Sequence, residues 1–91
     1  MSSGVTILKF WSPSCGPCRT IAPALEAMAE DFPNVTWISV NTKEDREGYV
    51  DKYKVNVVPT LVFLKNGVEV ARHVGSAVGM YYTLLRKALA A

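Results

Sequence analysis

Two hydrophobic rhythms alternate along the chain. Residues 5–10, VTILKF, are apolar and β-branched with little polar interruption, the pattern of a strand covered on both faces. From Cys18 onward Ile21, Leu25, Met28 and Phe32 recur at steps of three and four, while Arg19, Glu26, Glu30 and Asp31 fall elsewhere. That spacing predicts an amphipathic helix. Pro17 suits its first turn, and Pro23 removes an interior hydrogen bond and predicts a kink. FPN at 32–34 ends the helix, and VTWISV at 35–40 predicts a second strand. A second helix is expected from a cap at Asn41 or Thr42 through about Lys54, with Lys43, Glu44, Asp45, Arg46 and Glu47 as its solvated face and Tyr49, Val50 and Tyr53 as its apolar surface. VVPTLVFLKNGVEVARHV predicts strands at 60–65 and 68–74 around Asn66-Gly67, because both turn positions need positive φ. On the last strand His73 is expected to alternate outward with Glu69. Val78 to Ala90, with Tyr81, Leu84, Leu85 and Ala88 on one stripe and Tyr82 at its rim, predicts a closing helix.

The order is therefore βαβαββα, an α/β fold with a four-stranded mixed sheet and helices on both faces. The two βα crossovers imply parallel pairing at the start, and the hairpin an antiparallel edge.

Composition narrows the function classes. The 91 residues fit one domain, 1–91, and 49% are hydrophobic, enough to fill a core at this length. Ten basic and eight acidic residues alternate to a net charge of +2, so no basic stripe or acidic tail points to nucleic acid or an anionic membrane. The start MSSGVTILKFW has no basic leader region or small-residue cleavage site, and no stretch reaches the ~18 apolar residues of a membrane helix. A soluble cytoplasmic protein is expected, where isolated cysteine pairs are more often catalytic or metal-binding than structural.

The only two cysteines lie in WSPSCGPCRT, residues 11–20. The apolar stripe of the first helix passes through Cys18, and Cys15 falls at or just before the helix start, so Cys18 is expected inward and Cys15 outward. A thiol at a helix N-terminus meets unpaired N–H groups and the positive end of the macrodipole, both favouring thiolate. Cys15 is the candidate nucleophile, and Gly16 and Pro17 keep the pair close enough for a short ring. Zinc would need about four ligands, and only His73 could join the two cysteines. A structural staple would close too small a loop to constrain the unfolded chain. A CxxC pair beside a βαβ pattern favours redox chemistry over both, and over two inert thiols.

FWSPSCGPCR, followed by Pro23 and then KVNVVPTLVFLKNGVEVARHVG, resembles the thioredoxin family over most of residues 5–90. The resemblance implies a thioredoxin-like fold and a protein-disulfide reductase in which Cys15 attacks a substrate disulfide and Cys18 resolves the mixed disulfide. It implies that Pro59 is a cis-proline facing the cysteines and that the Val58 backbone meets substrate in a strand-like contact. Trp11, Gly16, Pro17, Val58, Pro59, Gly75 and Ser76 would form a flat docking surface, although Pro59 could simply start a strand and Trp11 could simply pack in the core. No cofactor beyond the cysteine pair is implied. The implied partners are disulfide-containing proteins and, as electron donor, a thioredoxin reductase or similar flavoprotein, or glutathione.

Two departures from the family stand out. Only four residues precede Val5, so the family's first strand and helix are expected to be missing and 35–40, with Trp37, to be a sheet edge. That size resembles glutaredoxin, which is the alternative enzyme, although Cys-Gly-Pro-Cys lacks glutaredoxin's usual Pro-Tyr. A monomer is expected, with weak self-association through that edge as a variant. Lys9 stands where the family has a buried aspartate, the supposed proton acceptor for the second cysteine, and Trp37 replaces that aspartate's lysine. Lys9 either acts on Cys18 from beneath the helix or snorkels to solvent, and the cost of an isolated buried charge favours the second. A non-catalytic accessory subunit using the same docking surface is the alternative outside enzymes.

Overall fold

The computed structural model describes residues 3–91. Its elements run β1 (Val5–Trp11), α1 (Gly16–Asp31), β2 (Thr36–Asn41), α2 (Tyr49–Tyr53), β3 (Thr60–Lys65), β4 (Val68–Val74) and α3 (Val78–Ala90). The four strands make one mixed sheet in the order β2-β1-β3-β4. β1 is central and buries both faces. Val5 and Ile7 join a core with Ile21, Leu25 and Met28 of α1 and Tyr81, Leu85 and Ala88 of α3. Leu8 and Phe10, one residue out of phase, join Val40, Val55, Val62 and Leu64 on the opposite side, where Tyr49, Val50 and Tyr53 of α2 also pack. Helices therefore cover both faces, as the unbroken apolar run of β1 requires.

β1 and β2 pair in parallel, as the first crossover implies. The second crossover departs from expectation, because β3 pairs antiparallel with β1 and not in parallel. The geometry of the connection explains it. β2 ends beside Trp11 and β3 begins beside Phe10, at the same end of the sheet. A five-residue helix rises only about 7.5 Å, whereas a six-residue strand spans about 20 Å. The connection does not carry the chain back along the sheet, and β3 runs the other way.

The shortness of α2 is itself a correction. The run Lys43–Glu47 forms turns, not a helical face. The Asn41 side chain accepts from the Lys43 N–H at 2.9 Å, and the Asp45 carboxylate accepts from the Tyr49 and Val50 N–H groups at 3.1 and 2.8 Å. Short polar side chains here satisfy backbone donors outside a helix, and Asp45 supplies the anion at the start of the helix that follows.

The hairpin is as expected, with Asn66 and Gly67 at φ 51° and 84°. A register shift between Phe63 and Leu64 overturns the placement of His73. The extra residue on β4 puts His73 beside Leu61 and Glu69 beside Leu64, on opposite faces. His73 is half-buried with its ring against the edge of Tyr81, centroids 5.6 Å apart. Arg72 now shares a face with Glu69 and donates to its carboxylate from Nε at 2.7 Å and Nη2 at 2.8 Å, and Nη2 also donates to the Tyr53 carbonyl at 2.7 Å. That pair holds the Glu69 carboxyl below its usual range through the Arg72 hydrogen bond.

Candidate active site

Cys15 is the N-cap of α1, with extended backbone at φ −89° and ψ 105°, and Pro17 lies in the first turn. A proline there gives up no useful donor. Cys15 and Cys18 are joined as a disulfide, with Cα atoms 5.3 Å apart. The Cys15 Sγ also accepts the Cys18 N–H at 3.1 Å, so the sulfur takes the place of the usual capping oxygen. Exposure does not separate the two sulfurs as expected: Cys15 is 8% and Cys18 7% accessible. Capping geometry, not burial, distinguishes Cys15. Pro23 lies inside α1 and the helix continues past it to Asp31.

The segment before the helix is held from two sides. The Cys15 N–H donates to the Ser12 carbonyl at 3.1 Å, and the Thr42 N–H to that of Trp11 at 2.9 Å. Trp11 is half-buried, and its indole N–H is buried without a partner among the described residues, as is that of Trp37. A cavity of 320 Å³ between α1 and the sheet is lined by Lys9, Trp11, Cys18, Arg19, Ala22 and Ser39, with Ser12 and Pro13 at its loop end. Lys9 is half-buried.

The Val58-Pro59 peptide is cis. Pro59 is buried, and its carbonyl accepts the Gly75 N–H at 2.9 Å. Gly75, at φ 119°, needs the freedom only glycine has there, and its own carbonyl accepts the Tyr81 hydroxyl. Burial pushes the Tyr81 hydroxyl's pKa upward. Ser12 and Val58 line a common cavity of 200 Å³, which joins the cysteine segment to the cis-proline loop. Gly16, Pro17 and Ser76 are exposed.

Ser12, Arg19 and Tyr81 are the structural contributors that the sequence did not single out for the site. Ser12 is a buried polar residue, 7% accessible, and nothing in a serine beside a tryptophan signals that. Tyr81 carried only a core signal. Among the described residues no cluster of three or more His, Cys, Asp or Glu could hold a metal ion, and no helix is long and apolar enough to cross a membrane.

Comparison with known proteins places this geometry. The Thioredoxin family profile matches residues 1–84. A thioredoxin of Chlamydia pneumoniae is 40% identical over 75 residues, covering 82% of this chain and 72% of that protein. The structure of Fasciola hepatica thioredoxin superposes with a TM-score of 0.87 at 34% identity, over 94% of this chain and 82% of that one. Thioredoxin from Trypanosoma brucei brucei gives 0.88 at 29% identity, over 99% and 79%. With its paired cysteines at the start of α1, the chain belongs to the thioredoxin family and is a protein thiol–disulfide oxidoreductase.

Proposed function

We propose that the protein reduces disulfides in other proteins through the Cys15–Cys18 dithiol, with Cys15 as nucleophile and Cys18 as resolving thiol. The observation that carries the assignment is the Cys15 Sγ accepting the Cys18 N–H at the helix start. A thiolate on Cys15 gains that hydrogen bond and the favourable end of the helix dipole. The thiolate attacks one sulfur of the substrate disulfide and expels the other as a thiolate. Cys18 then attacks the Cys15 sulfur, forms the internal disulfide and releases the reduced substrate.

Trp11, Gly16, Pro17, Val58, Pro59, Gly75 and Ser76 form the docking surface, with the Val58 backbone offered to an extended segment. The Gly75 N–H bond to Pro59 supports that reading by tying two parts of the surface together. The cysteine pair is its own redox group, so no cofactor is required. Its partners are disulfide-bearing proteins and a flavoprotein reductase, and it works as one cytoplasmic domain and a monomer.

Insulin reduction driven first by a thioredoxin reductase and then by glutathione tests this. Turnover with the reductase, abolished in Cys15→Ser, is expected, and Cys18→Ser should accumulate a mixed disulfide through Cys15. Turnover with glutathione alone would instead make this a glutaredoxin-type reductase, and a mixed disulfide formed through Cys18 would reverse the assignment.

A further inference from the structure

The cavity behind Cys18 is walled by three elements, and its charges all have one sign. Lys9 comes from β1, Arg19 from α1 and Ser39 from β2. No carboxylate lines it. Lys9 shares the α1 face of β1 with Val5 and Ile7, which pack against Ile21, Leu25 and Met28. It is flanked in register by Ser39 on β2 and Leu61 on β3, so its stem starts from the middle of the sheet and not from an edge. Neither Lys9 nor Arg19 has a side-chain hydrogen bond or ion pair among the described residues. The adjoining cavity of 210 Å³ shares Lys9, Ala22 and Ser39 and carries Glu26, two helical turns beyond Cys18.

We propose that Lys9, acting through Cys18, stabilises the resolving sulfur as a thiolate, so that the second half of the exchange proceeds without a carboxylate base. The proposal rests on the roles given above to Cys15 and Cys18. An unpaired cation half-removed from water gains by acquiring an anion nearby, and an opposite charge within several ångströms lowers a thiol's pKa. When Cys15 is bonded to substrate, Cys18 gives its proton to water and is held as thiolate facing Lys9. It attacks the Cys15 sulfur, the Cys15–Cys18 bond forms, the bond from Cys15 to substrate breaks, and the departing substrate sulfur carries away the electron pair and is protonated by water. The pair loses two electrons and the substrate disulfide has gained them.

The test uses the full chain with Cys15→Ser, which leaves Cys18 as the sole thiol, and follows thiolate absorbance against pH. Adding Lys9→Met should raise the Cys18 midpoint by about one pH unit, Lys9→Gln should do the same, and Lys9→Arg should restore it. Arg19→Met, removing an exposed cation, should move it less. An unchanged midpoint in folded Lys9→Met and Lys9→Gln proteins overturns the proposal, as does an equal rise in Lys9→Arg, which would mark a packing effect. In the protein with both cysteines, Lys9→Met should prolong the mixed disulfide, and unaltered resolution at neutral pH would also overturn it. The titration needs no substrate. A normal Lys9 effect in a protein that cannot reduce insulin would refute the proposed reductase while leaving the Lys9–Cys18 interaction standing.

Discussion

The two faces of the sheet are built differently. On one, α1 and α3 lay sixteen and thirteen residues of helix over a core that includes Phe63, Tyr81 and Leu85, all fully buried. On the other, a five-residue helix without a single buried residue and its flanking turns cover Leu8, Phe10 and Val62. Polar ties fix this thinner cover: Asp45 holds the first N–H groups of α2, and Arg72 holds the Tyr53 carbonyl. The sulfurs ride on the heavily packed side, whereas the chain leading into Val58 and Pro59 comes from the lightly packed one. In the proposed function the reacting atoms therefore sit on the thickly packed face and the segment offered to substrate is reached from the thinly packed one.

Three substitutions would break or sharpen that contrast. Phe63→Ala, in the thick core, should cost about 3–5 kcal/mol, read as a fall in the urea midpoint with the denaturant slope unchanged. A loss below about 1 kcal/mol would mean the two faces are not energetically distinct. Tyr81→Phe should cost about 1–2 kcal/mol by leaving the Gly75 carbonyl unsatisfied, measured in the same way. Its pH dependence has a definite sign. The folded-state pKa of Tyr81 is raised by burial, so its contribution is fully present below the unfolded value of about 10 and is lost as pH rises through the folded value. The parent should therefore lose stability above about pH 10 more steeply than Tyr81→Phe, up to the raised folded value, and parallel alkaline curves would refute the assignment. Asp45→Ala should cost about 1 kcal/mol, with faster amide exchange at Tyr49 and Val50 and unchanged exchange in α1. Acceleration in α1 as well would show that the thin cover supports the sulfurs after all.

The same contrast marks what the sequence disclosed. α1, α3 and the hairpin are readable because each has a local cause: a stripe at helical spacing, or two adjacent residues that accept positive φ. The thin side was harder because its structure depends on side chains folding back onto the backbone. An acid-rich run after Asn41 has the composition of a helix start, and only tertiary context decides that Asp45 caps a later, shorter one. Strand direction is not encoded in periodicity, so β3 reads the same either way round. The bulge that turns His73 toward Tyr81 leaves no mark in VEVARHV. At the site, the cysteines, Pro59 and Lys9 were recognisable as residue types, whereas the cavity uniting Lys9 with Cys18 follows from register and helix placement, which no spacing rule supplies.

A helix cap is ordinarily a bystander to chemistry. In α1 the capping atom is the Cys15 sulfur, the atom that in the proposed reaction bonds to substrate and then to Cys18. Electron count and helix integrity are therefore linked functions of one atom. Any environment that favours the anionic sulfur also tightens the first turn, and any fraying of that turn weakens the nucleophile, so the free energy of the cap and the driving force of the exchange cannot be tuned independently.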